Sequence, residues 1–513
     1  MRWELDWLET RARMTPAAQA IGDAESDHAW TFREVNDRAK AIAMWLQEKG
    51  VQKGDRVALL APNGISYFDL LFACGKIGAI FVPLNWRLSV DELAYIISDS
   101  DPLLLAFHSN FTNEVTMIWQ HEARSLPIDG TQYELLIDQY AGRLNKSKFR
   151  NAEVNEEDPL AMIYTGGTTG KPKGAVLSHR AIIWNGISTV VSWNLTNEDK
   201  TVTYLPLFHT GGLNALSIPI LMAGGQIIIA REFVPEQAIE NLIKFKCTII
   251  LFVPTMYHML VKSEHFYKAE FKDMKIFLSG GAPCPLDIYE AFKQKGMAFK
   301  EGYGLTEAGP NNFFIDPAEA ELKRGSVGKP MLFNAVRIIN EEGCETVPGE
   351  VGELAIQGNH SFSYYWNNKD ATKDTLRDGW LYTGDLAKKD EEGYFYIVGR
   401  KKEMIITGGE NVFPLEIEHW LCSHPSIQEA AIIGMPDDKW GEVVTAFIVR
   451  EEKSDLEEAE VKEYCRQKLG GYKVPKHIHF IAQMPKTHVG KIDKKLLKNN
   501  ALIKNTEKQK PVI

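Results

Sequence analysis

The densest run of chemically useful residues in this chain is Tyr164-Thr165-Gly166-Gly167-Thr168-Thr169-Gly170-Lys171-Pro172-Lys173-Gly174. Four glycines let the backbone turn tightly and aim N–H groups at an anion, three threonines add hydroxyl donors, and two lysines add charge. That set suits the grip on a polyphosphate. The run follows the apolar Leu160-Ala161-Met162-Ile163, so it reads as a loop leaving a strand. It is not a Walker A loop, because Pro172 stands where that pattern needs Ser or Thr to hold Mg2+. A surface turn is the plain alternative, and turns seldom gather so many Thr and Lys.

Other segments with chemical potential follow in order. Ser279-Gly280-Gly281-Ala282-Pro283 reads as a turn of small residues. Gly302-Tyr303-Gly304-Leu305-Thr306-Glu307 fails as a dinucleotide fingerprint, since Glu307 occupies the place of the third glycine. Its carboxylate suits Mg2+, which takes one or two protein carboxylates plus phosphate oxygens and waters. Trp380-Leu381-Tyr382-Thr383-Gly384-Asp385 presents an acid after a turn, and Pro485-Lys486-Thr487-His488-Val489-Gly490-Lys491-Ile492 presents a lysine in a loop. Taken singly, each is open to a plainer reading as a turn or a solvated charge.

Taken together and in this order, the motifs resemble those of the adenylate-forming superfamily: acyl-CoA synthetases, peptide-synthetase adenylation domains and firefly-type luciferases. The resemblance spans about residues 160 to 492. It implies that Thr165, Gly166, Gly167, Thr168, Thr169, Gly170 and Lys173 bind the ATP phosphates. The family usually has Ser where Gly166 stands, so one hydroxyl donor is missing. Gly280, Gly281, Ala282, Gly302, Tyr303 and Gly304 would receive adenine, with Tyr303 stacked on it. Thr306 would bond the α-phosphate and Glu307 would bind Mg2+. Asp385 would accept from the ribose hydroxyls, with Arg400 in support. Lys491 would contact the acid and the α-phosphate as charge develops there. Lys402 falls at the family's interdomain hinge, with a solvated linker charge as the alternative, and Gly408-Gly409 would reach the thiol channel. The implied reactants are ATP, Mg2+, coenzyme A and a small carboxylic acid.

Pro206-Leu207-Phe208-His209-Thr210-Gly211-Gly212 resembles the family's acid-pocket motif. Relatives that activate α-amino acids carry Asp at His209 to pair with the substrate ammonium, a task a histidine does poorly at neutral pH. An amino acid is therefore disfavoured, and His209 is expected to gate the acyl pocket, with a core hydrogen-bonding role as the alternative. Trp184 to Trp193 and Asn311 to Phe314 are expected to line an apolar cavity. A fatty acid is the first expectation and an aryl acid of the succinylbenzoate or benzoate type the second. Luciferase-type oxygen chemistry ranks lower. A non-catalytic nucleotide sensor is the contrasting class, against which Lys173, Glu307 and Lys491 all stand.

Composition bounds the remainder. The net charge of −10 counts against nucleic acid as a partner. The six cysteines are scattered, with no C-x-x-C pair, and read as free thiols of a cytoplasmic protein. No signal-peptide segment can be drawn at the N-terminus. The apolar stretch from 215 to 230 is broken by Pro219, Gly224, Gly225 and Gln226, so no integral membrane segment is expected. A homodimer is left open.

These residues need a scaffold that delivers loops to one place. Strand-like runs such as 56–60, 247–253 and 274–278 alternate with amphipathic stretches such as 67–76 up to about residue 260. That alternation predicts an α/β fold of open, mostly parallel sheets with ligands beyond the strand C-termini. Past Gly325, turn pairs between short strands predict a β-rich subdomain. The expected organisation is a large N-terminal AMP-binding domain, 1–399, with the β-rich part at about 325–399. A hinge at 400–402 and a small mobile α+β lid, 403–513, complete it. The Lys- and Asn-rich end is expected to fray.

Overall fold

The computed structural model of this chain describes residues 4–144, 149, 151–166, 171–452, 454–487 and 492–508. The phosphate-loop residues Gly167, Thr168, Thr169 and Gly170, and also Lys491, lie outside the described residues.

Three sheets carry the α/β part. In the first, Ile80–Leu84, Arg56–Leu60, Leu104–Phe107 and Ser125–Pro127 run parallel, and Pro159–Thr165 joins parallel to Ile80–Leu84. Lys173–Ser178 then returns antiparallel, and Tyr364–Tyr365 closes that edge. In the second sheet Gln19–Asp23, Gln226–Ile229 and Lys200–Thr203 are parallel, with Ala29–Thr31 antiparallel at the edge. The third is wholly parallel: Ile249–Phe252, Ile276–Ser279 and Phe299–Glu301. Helices cover these sheets because their sequences keep one apolar face. In Phe32–Glu48, Val35, Ala39, Ile42 and Leu46 are buried, and a capping box between Thr31 and Glu34 starts the helix.

Two smaller sheets follow. Ala335–Ile339, Gly352–Gln357, Trp380–Lys389, Leu376–Arg377 and Phe395–Arg400 form an antiparallel sheet, which suits the turn pairs between them. Beyond it, Ile405–Thr407, Glu410–Val412, Ile427–Asp437, Gly441–Arg450 and His477–Phe480 make a second sheet. Helices Pro414–Cys422 and Glu458–Arg466 pack one apolar cluster onto it, and Lys494–Lys508 packs another. Every buried residue of these two clusters lies between Ile405 and Ala501.

The C-terminal expectation is narrowed: Lys494–Lys508 is helical, and the last residues, 509–513, lie outside the described residues. Asp493 Oδ1 accepts from Leu496 N at 2.9 Å, Lys494 bridges Glu403 and Glu418 at 2.8 Å each, and Leu497 and Ala501 are buried. A cap, two buried apolar residues and a doubly paired lysine outweigh a polar composition. Among the described residues no helix is long and apolar enough to cross a membrane.

Candidate active site

The phosphate loop is the turn of a hairpin whose strands pair Thr165 with Lys173. Glu307 comes to it from 142 residues away and is buried. Its Oε1 accepts from Thr165 Oγ1 at 3.3 Å and from the Tyr365 hydroxyl at 2.6 Å. The Lys173 ammonium lies 5.2 Å from the Tyr365 ring centroid. Tyr365 is placed by its antiparallel pairing with Ala175, and Phe362 N donates to Glu307 O at 2.7 Å. Burial and the Glu307 carboxylate push the Tyr365 hydroxyl well above the usual phenol range, so it stays a donor. Thr306 is half-buried in the same bend.

The other end of the site is built around Asp385. Its strand pairs it with Arg400, whose Nε stands 2.8 Å from Asp385 Oδ1. Oδ2 accepts from the Tyr303 hydroxyl at 2.6 Å. Burial, and then the Asp385 charge, raise the Tyr303 hydroxyl far above its ordinary value. Both carboxylate oxygens expected to meet ribose are therefore pre-oriented by Tyr303 and Arg400. Gly304 permits the bend between the two ends: a Cβ there would fall 2.1 Å from Pro310 O.

The Gly280-Gly281-Ala282 turn is braced by Glu301, whose carboxylate accepts from Cys284 N at 3.0 Å and from the Tyr289 hydroxyl at 2.7 Å. Burial raises Glu301 to about 7. Glu301 and Tyr365 are supports that motif reading missed. The signal for Tyr365 was its paired tyrosine beside Trp366; Glu301 had only its place before Gly302.

His209 begins the turn from Thr210 to Gly212, its ring tilted 55° to that of Phe208 with the centroids 4.6 Å apart. Asn63 anchors the segment before it, accepting from Leu207 N at 2.9 Å and donating to Leu205 O at 3.1 Å. A π-helical turn, Leu213–Ser217, follows. Asn185 of the helix His179–Ser192 donates to Asn214 O at 2.8 Å, and Asn311 donates to Ala215 O at 2.7 Å and to Thr189 Oγ1 at 3.0 Å. These bonds draw the His209 turn, that helix and the Gly302–Glu307 loop together. They also revise one expectation: Asn311 and Asn312 are buried hydrogen-bonding struts, and Phe313 is a core residue 5.8 Å from the Tyr303 ring.

Lys402 sits in the turn Lys401–Glu403, directly after Arg400. Gly408 and Gly409 form a two-residue hairpin turn with φ of 59° and 88°, conformations that favour glycine. Lys486 and Ile492, on either side of the segment that holds Lys491, form an antiparallel bridge.

The donor set fits a magnesium nucleotide. Among the described residues no cluster of three His, Cys, Asp or Glu could hold a metal alone. Thr165 and Tyr365 both donate to Oε1 of Glu307, which suits Oε2 to a cation whose other ligands come from phosphates and water.

Comparison with known proteins gives the family. The AMP-binding enzyme family profile matches residues 8–366, and the profile of the AMP-binding enzyme C-terminal domain matches 416–491. The chain belongs to this adenylate-forming family. It is 36% identical to a feruloyl-CoA synthase of Amycolatopsis over 95% of this chain and 96% of that one. It is 33% identical to an indoleacetate–CoA ligase of Aromatoleum aromaticum (95% and 96%) and 32% identical to a long-chain-fatty-acid–CoA ligase of Mycobacterium tuberculosis (96% and 97%). ATP-bound MatB from Rhodopseudomonas palustris superposes with a TM-score of 0.89 at 31% identity, covering 97% of this chain and 99% of that one. O-succinylbenzoate CoA synthetase from Bacillus subtilis, in complex with ATP and magnesium ion, gives 0.84 at 29% identity, covering 96% and 98%. The chain is an AMP-forming acid–CoA ligase that uses ATP, Mg2+ and coenzyme A.

Tyr365→Phe keeps the ring under Lys173 and removes the bond to Glu307. The expected result is a rise of about 10-fold in the Mg2+ concentration for half-maximal pyrophosphate release, the usual size for loss of a partner that orients a metal ligand. An unchanged Mg2+ titration would show that Glu307 needs no such orientation.

Proposed function

We propose that this enzyme activates aromatic carboxylic acids as their CoA thioesters, with the assigned residues in the roles the family motifs suggest. The carrying observation is the convergence of Thr165, Lys173, Glu307 and Tyr365 at one end of a bend and Tyr303, Asp385 and Arg400 at the other. In this reading adenosine lies at Asp385 and the phosphates at the hairpin.

A carboxylate is a poor electrophile, since its charge is delocalised and oxide does not leave. In the first step a carboxylate oxygen attacks the α-phosphorus and pyrophosphate departs. Lys173 and the phosphate loop hold the leaving oxygens, Thr306 donates to the α-phosphate, and Lys491 offsets the charge that grows there. Glu307 would hold Mg2+, which would supply neutralisation of phosphate charge. In the second step the CoA thiol attacks the acyl carbon and AMP leaves, with His209 at the entry to the acyl pocket.

One rigid arrangement serves both steps badly, so we place a hinge at 400–402 between the large unit, 1–399, and a lid, 403–513. The self-contained cores beyond Ile405 support that division. In this scheme the lid presents Lys491 first and Gly408-Gly409 second.

Two observations favour an aryl acid. Trp184 stands edge-on to Phe333 at 5.5 Å, and Trp193 and Phe314 flank the end of the strand that leads into Gly302. Two of the relatives above are named for feruloyl and indoleacetate. The long-chain relative favours a fatty acid as the second reading. A panel of benzoic, phenylacetic, cinnamic and straight-chain acids, scored for CoA thioester, decides between them. The highest kcat/KM is expected on an aryl acid; a maximum on a long alkyl acid would replace this reading with the second.

A further inference from the structure

Lys300 is the middle residue of Phe299–Glu301 and is 3% exposed. The period of two in a strand turns Phe299 toward Tyr257 and Phe292 and sends Lys300 to the opposite face. On that face Lys300 lies opposite Leu278, and Leu278 opposite Leu251. This row runs directly behind the glycines of the nucleotide turns. A Cβ on Gly280 would stand 3.1 Å from Leu251 Cδ1, and one on Gly302 would stand 3.2 Å from Leu278 Cδ1. From Gly302 to Lys300 is two residues of strand, roughly 7 Å.

The Lys300 ammonium sits 4.4 Å from the Trp193 ring centroid and 4.7 Å from that of Phe314. Among the described residues it forms neither a hydrogen bond nor an ion pair. Asp316 favours its charge, but Asp316 Oδ1 is engaged by Ala318 N at 2.8 Å, and burial pushes the ammonium down to about 7. Beside it, Trp193 Nε1 is buried with no hydrogen-bond partner among the described residues. Two donors without an acceptor thus share one aromatic corner. A buried indole N–H left unpaired is costly, so such a corner suits a ligand that brings the acceptor. An alkyl terminus would leave both donors unmet; a ring bearing an oxygen would satisfy them.

We propose that Lys300 and Trp193 form the distal subsite of the acid pocket and select aromatic acids with an oxygen substituent, a phenolic hydroxyl above all, opposite the carboxylate. This rests on the aryl-acid reading above. A site built to hydrogen-bond a substrate oxygen discriminates strongly against the analogue that lacks it.

The test compares para-hydroxycinnamate with cinnamate in acid-dependent pyrophosphate release, using the full-length enzyme and its Lys300→Met and Trp193→Phe variants. The wild type is expected to favour the hydroxylated acid by about 10- to 100-fold in kcat/KM. Lys300→Met should bring that ratio to within about threefold of unity, and Trp193→Phe should lower it partially. A structural role for Lys300 would depress both acids together and leave the ratio unmoved. A wild-type ratio near one, or a ratio unchanged in Lys300→Met, overturns the proposal. If Lys300→Met gives no cooperative melt, the Trp193→Phe ratio decides in the same way. Turnover of neither acid by the wild type, with a straight-chain acid accepted, refutes the aryl reading itself; turnover of both acids with the ratio unmoved refutes the subsite alone.

Discussion

Glu307→Gln is expected to slow acid-dependent pyrophosphate release by about 1,000-fold, the scale for losing a group that stabilises transition-state charge. The substitution preserves shape and removes one negative charge. Thr165 and Tyr365 both donate to Oε1, and an amide oxygen can still accept from them. The loss therefore falls on cation binding rather than on the fold. Raising Mg2+ should recover part of the rate, because a weaker site fills at higher concentration. Formation of the thioester from a pre-made acyl-adenylate, which needs no pyrophosphate departure, should fall far less. Measuring both half-reactions across a Mg2+ series checks this. A variant with wild-type pyrophosphate release would remove Glu307 from the chemistry.

Lys491→Ala carries the other large effect, a loss of about 1,000-fold in adenylate formation with less than about a 10-fold change in thioester formation from pre-made adenylate. Negative charge accumulates at the α-phosphate only while carboxylate and triphosphate meet, so a cation there matters most in that step. The described surroundings suit a lysine carried with the C-terminal unit. Lys486 and Ile492 form an antiparallel bridge, Lys486 pairs with Glu429 at 2.6 Å, and Asp493 caps the last helix. A unit that swings about 400–402 would take Lys491 away for the second step. Single-turnover measurements of the two half-reactions test the division of labour, and equal losses in both would end it.

Much of the scaffold was legible because its signals are local. Runs such as Arg56–Leu60 and Gly352–Gln357 are strands where β-rich composition placed them. Pro414–Cys422 is a helix opened by proline. The C-terminal helix was missed because its stability comes from Leu497, Ala501 and the Lys494 pairs, which are contacts with distant strands and with Glu403 and Glu418. The supports of the site were missed for the same reason. Asn63, Asn185 and Asn311 look like ordinary polar residues until their partners, 29 to 144 residues away, are known. Lys300 left a faint mark, a charge between Phe299 and Glu301, that spacing alone does not interpret.

The amino-acid order by itself pointed to a polyphosphate ligand, because glycine, threonine and lysine in one loop state their chemistry within a few residues of each other, and the resemblance carried by five motifs in series implied the organic acid. Only the tertiary structure decided which oxygen of Glu307 is engaged, what holds Asp385, and that a lysine and an indole N–H meet in one dry aromatic corner. Burial and hydrogen-bond partnership are properties of pairs brought together by folding, and no reading of neighbours along the chain contains them.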